Sequence, residues 1–170
     1  MSSPRPYATR RGSLKLTYPT LGSLNQASLA LSSDGATPIL APGETLRRLI
    51  MYWTLQWNFT TGDDPSRNKD LYPYVALGFT VGNPPGSPPA ILDDISSDEL
   101  LTVQQAGIRS VDTDRFSPQD PGVGKITYSA NRRPPAGQSG HLWFCWQGYG
   151  GGNAWFAGGV WIAIIETAAA

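Results

Sequence analysis

From Leu49 to Phe59 every odd position is large and apolar, and from Thr54 onward the even positions are polar. Strict alternation over that length predicts a long half-buried β-strand, because successive side chains of a strand point to opposite faces. Gly62-Asp63-Asp64-Pro65 ends it. Residues 74–81 repeat the signal, with Val75, Leu77, Phe79 and Val81 on one side and Ala76, Gly78 and Thr80 on the other. Residues 142–146 and 160–165 are apolar on both faces, the pattern of central buried strands. Shorter strands are predicted at residues 14–18, 29–31 and 126–129. Around 96–106, Ser96 followed by Glu99 has the spacing of a capping box, and Gly107 stands where a helix would stop. One short helix is therefore predicted there, with Leu101, Thr102 and Val103 leaving a strand as the alternative.

The segments between these runs are turn-rich. Gly and Pro number 19 and 15 in 170 residues, and they are dispersed between apolar runs rather than gathered into one tract. Residues 82–89 hold four prolines and two glycines and read as a loop, partly in polyproline II. The glycines of 148–152, with Gly158 and Gly159, predict a flexible hairpin connection between the last two strands. Seven or eight short strands with at most one helix define an all-β chain, and a β-sandwich of jelly-roll type is the natural architecture. Residues 1–13 contain Arg5, Arg10 and Arg11, and no acid precedes Asp34. They read as a basic extended arm, followed by a single domain over 14–170.

Charge changes the picture. Asp, Glu, Lys and Arg make up only 15% of the chain, thirteen basic residues balancing thirteen acidic ones, against about 25% in ordinary soluble domains. A neutral, charge-poor chain is weakly protected against association, which suits a subunit whose surface is covered by neighbours. Arg5, Arg10, Arg11 and Lys15 at the start of a neutral chain do not make a nucleic-acid-binding protein. No apolar run approaches the length of a membrane span. The polar start, Met1 to Pro6, has no apolar core of a secretion signal, so synthesis and assembly in a cytoplasm are expected.

Candidate chemistry is sparse. His141 is the only histidine and Cys145 the only cysteine, both beside or inside an apolar run, where a core role is expected. No Gly-x-Ser-x-Gly elbow supports a nucleophilic serine. Asp63-Asp64 and Asp93-Asp94 are candidate glycosidase carboxylates, and Asp112, Asp114 and Asp120 a candidate calcium loop, but their settings are those of turn and capping acids. The glycines at 148–152 lack the Lys-Ser/Thr of a phosphate-binding loop, and the Asn58-Phe59-Thr60 sequon has no secretory context. No enzyme, cofactor or metal is expected. Among the aromatic residues, Trp155 and Phe156 lie among glycines in or beside an expected loop, as anchors at an interface between subunits or folded back onto their own core.

One resemblance adds to this reading. Thr45-Leu46-Arg47-Arg48-Leu49, then residues 74–81, a Pro-containing loop and the acidic run Asp93-Asp94-Ile95-Ser96-Ser97-Asp98 follow one another in an order. That order resembles small virion proteins of tailed bacteriophages, the minor tail and capsid-associated proteins. It covers roughly residues 43–105. It implies a jelly-roll-like structural subunit of the virion, assembled in the bacterial host cytoplasm, with other virion proteins and copies of itself as partners and no catalytic residues. Arg5, Arg10, Arg11, Trp155 and Phe156 are then the expected partner contacts. The alternative is a carbohydrate-binding, host-recognition module whose tryptophans stack on a cell-surface glycan.

Overall fold

The computed structural model describes residues 6–15, 26–32, 38–59, 70–71, 74–82, 99–105, 109–110, 122–147 and 152–167. They form ten strands: β1 (Tyr7–Lys15), β2 (Gln26–Ala30), β3 (Thr45–Phe59), β4 (Asp70–Leu71), β5 (Tyr74–Val81), β6 (Leu100–Gln105), β7 (Arg109–Ser110), β8 (Gly122–Tyr128), β9 (Gly140–Gln147) and β10 (Gly152–Glu166). Eight of them build two four-stranded sheets, in the orders β1-β10-β3-β8 and β2-β9-β5-β6, and β4 with β7 make a small separate ribbon. All pairings are antiparallel. The first strand lies beside the last and the second beside the last but one, and every connection between sandwich strands except β5–β6 changes sheet. That is the jelly roll.

The core lies between the sheets, where alternation predicts it. Leu49, Met51, Trp53 and Leu55 of β3 point inward with Ile126 of β8 and Trp161, Ala163 and Ile165 of β10. They meet Val75, Leu77 and Phe79 of β5 and Leu142, Phe144 and Trp146 of β9. Two indole rings are accommodated by glycines on the neighbouring strand. Gly12 of β1 is the register partner of Trp161, and Gly124 of β8 that of Trp53. A Cβ on Gly124 would stand 2.2 Å from the Trp53 ring, far inside van der Waals contact.

Three expectations are corrected. Residues 100–105 are strand β6, not helix, because the Glu99 carbonyl accepts a 2.7 Å hydrogen bond from the Phe79 amide and so starts the ladder with β5. Residues 7–13 are strand rather than free arm. β1 pairs along its whole length with β10; the apolar alternation is hidden because two of its inward positions are Gly12, under a ring, and Arg10, which is paired. Finally, β9 and β10 are not a hairpin but belong to different sheets, and Gly158 and Gly159 lie inside β10.

Candidate functional site

The five expected contact residues divide. Arg5 lies outside the described residues. Arg10 is directed into the molecule. Its Nη1 and Nη2 donate to Glu44 Oε2 and Oε1 at 2.8 and 2.6 Å, and Nη1 also donates to the Ile39 carbonyl. Glu44 is buried and additionally accepts from the Ala41 amide at 2.8 Å. Burial alone would raise the Glu44 carboxyl pKa. The hydrogen bonds from Arg10 and Ala41, with the Arg10 charge, outweigh it and hold the group below its ordinary value. Arg10 is therefore a clasp between β1 and the segment before β3. Trp155 and Phe156 sit within β10, opposite Gln56 and Leu55 of β3, rather than in a loop; their side chains are outside the described set.

Arg11 does face outward, and it does so on a surface with a definite character. On the outer side of the β1-β10-β3-β8 sheet the register sets Ser13, Val160, Tyr52 and Lys125 in one row across the four strands. Arg11, Ile162, Ile50 and Thr127 form the next row, followed by Thr9, Ile164 and Arg48. Val160, Ile162 and Ile164 on β10 and Ile50 and Tyr52 on β3 make an apolar stripe down the middle. Val123 on β8 extends it and is 74% exposed, with Val160 at 49% and Tyr52 at 42%. A shallow groove of roughly 700 Å³ crosses the face beside Ser13, Thr54, Val123 and Gly158.

Cations flank the stripe: Arg11 on β1, Arg48 on β3 and Lys125 on β8, whose ammonium stands 5.6 Å from the Tyr52 ring. Neither Arg11 nor Arg48 has an ion-pair partner among the described residues. The described carboxylate on this side is Glu166, at the far end of β10, and it is taken up by Arg47, whose Nε donates to Oε2 at 2.6 Å. Arg47 reaches it because β3 has an extra residue there, in a bulge opposite Ile164 and Ile165. Its Nη1 also donates to Asn131 Oδ1. The face is thus apolar at its centre and cationic around it. Sequence reasoning missed Arg48, Lys125, Val160 and Ile162, since 160–165 is apolar throughout and its outward half cannot be told from its inward half by pattern alone.

The opposite sheet differs. On its outward side Ala76 and Cys145 are fully buried and Trp143 nearly so, and the Trp143 indole donates to Thr80 Oγ1 at 2.7 Å. His141, also buried, donates through Nε2 to the Gly82 carbonyl at 2.7 Å. Both histidine and cysteine thus have structural places. Trp53, Trp143, Trp146 and Trp161 are buried, which removes four of the six tryptophans from any sugar-stacking platform. No group of three metal-ligating side chains occurs among the described residues.

No protein-family model matches the chain, and no curated protein matches it in sequence. Among solved structures it is similar to the VP2 subviral particle of infectious bursal disease virus, at 10% identity and a TM-score of 0.33 over 98% of this chain and 33% of that one. It is also similar to the Gt strain structure of that virus, at 8% identity and a TM-score of 0.33 over 95% and 37%. A third similarity is to the T13 particle of the virus, at 10% and 0.32 over 98% and 37%. The chain spans about a third of the length of these proteins.

Proposed function

We propose that the chain is a structural subunit of a virus particle, a capsid-associated or minor tail protein of a tailed bacteriophage, which acts by protein–protein contact and not by catalysis. The observation that carries the reading is the outer face of the β1-β10-β3-β8 sheet. Jelly-roll strands normally alternate apolar-in and polar-out on a solvated face, yet here isoleucine and valine occupy the outward positions of the central strand β10. An apolar patch rimmed by charge on an otherwise well-formed sandwich marks an interaction surface. The charge-poor composition and the resemblance of residues 43–105 support the same conclusion.

The test is the mass of the purified protein by light scattering as concentration rises, for the wild type and for Val160→Arg and Ile162→Arg. The wild type is expected to self-associate. Each variant, with a charge set in the apolar stripe, is expected to remain monomeric while melting at the wild-type temperature. Association unchanged in both variants would remove this face from the proposal.

A further inference from the structure

Charge is segregated along this neutral chain. The acid-free start of the sequence supplies β1 with Arg11, whereas residues 70–108 contain Asp70, Asp93, Asp94, Asp98 and Glu99 and no lysine or arginine. The cationic face and the two strands that bracket the acidic run belong to different sheets. The cations flank the outer face of β1-β10-β3-β8, and the acidic run 93–99 belongs to the connection between β5 and β6, both strands of the other sheet. Adjacent antiparallel strands can be joined by a tight turn, whereas residues 82–99 connect Val81 of β5 to Leu100 of β6.

We infer that the cationic, apolar face of one copy docks the acidic run 93–99 of a second copy, head to tail. The inference rests on the reading of that face as an assembly surface and names its occupant. Two identical faces cannot pack on each other, because a two-fold contact would bring Arg11, Arg48 and Lys125 against the same three cations. A heterologous contact has no such conflict, and by repetition it generates a ring or a filament rather than a dimer. Interleaving of Ile91, Leu92 and Ile95 with Asp93, Asp94 and Asp98 gives that run the same two chemistries as the face, with the charge reversed. A nucleic acid would meet the cations but find one described ring in the stripe, Tyr52, over which the Lys125 ammonium already stands; the branched aliphatic side chains beside it offer a base nothing to stack on.

Two variants of the full chain test it, one with Arg11→Gln and Arg48→Gln and one with Asp93→Asn and Asp94→Asn. Each is expected to self-associate about tenfold or more weakly than the wild type, with an unchanged melting temperature. A one-to-one mixture of them is expected to give a heterodimer and nothing larger, since only one intact face and one intact acidic run remain between them. Loss of association in the arginine variant with none in the aspartate variant would overturn this inference and leave the assembly face standing. Association unaffected in both would overturn the head-to-tail contact, while the assembly face itself stands or falls with Val160→Arg and Ile162→Arg. Binding of a single-stranded oligonucleotide that is lost in the arginine variant, together with a monomeric wild type, would assign the face to nucleic acid and overturn the head-to-tail contact.

Discussion

Two residues carry more than their size suggests. Gly124 is required by a close approach, the Trp53 ring occupying the volume of any side chain at that position. Gly124→Ala is expected to destabilise the fold by about 1–3 kcal/mol, the usual result of overpacking a filled core, read as a lower urea midpoint with an unchanged slope. Glu44 is the other. Its carboxyl is held below the ordinary value of 4.5, so its contribution to stability is complete above the unfolded-state pKa and is lost as pH falls through the lower folded-state value. Glu44→Gln is expected to lower stability by about 1–3 kcal/mol at neutral pH, because charged hydrogen bonds from Arg10 are lost. In urea titrations the gap between wild type and variant should narrow below about pH 4. Neither role could be read from the sequence: the glycine had no visible ring to admit, and the arginine and glutamate of the clasp are 34 positions apart.

At the scale of the elements, the sequence was legible where large apolar residues alternate with small or polar ones, whether the second face is partly open, as in β3, or covered, as in β5. β3 and β5 were delimited by alternation, β5 to the residue. β9 and β10 were found as apolar runs, but which of their faces meets the core is decided by pairing, not by composition. β1 was misread from the opposite cause. Its outward side is polar, and its inward side holds a paired arginine and a glycine, so no alternation survives. The consequence is testable. Deleting residues 1–13 removes most of a strand hydrogen-bonded to β10 along nine register pairs, rather than a dispensable arm. The truncated chain is expected to lose its cooperative thermal transition in circular dichroism and to aggregate through the uncovered edge of β10. A sharp transition near the wild-type temperature would show that β1 is not part of the folding unit.

For the whole molecule, the class of fold was accessible because turns and short apolar runs leave few alternatives, whereas strand order was not, since it is set by contacts between distant residues. The same holds for the outer face. Its cations lie at positions 11, 48 and 125 and its apolar stripe on β3 and β10, so it exists only once the sheet is assembled. That assembly has a temporal side. β10 is inserted between β1 and β3, so the last of the described strands to be synthesised lies inside the sheet that the first one begins. Until residues 152–166 emerge, β1 has no neighbour and β3 lacks one, and no order of earlier pairing can complete that layer. Such long-range closure is slow, and it leaves strand edges open until β10 is made, the condition in which nascent chains are prone to aggregate and depend on chaperones.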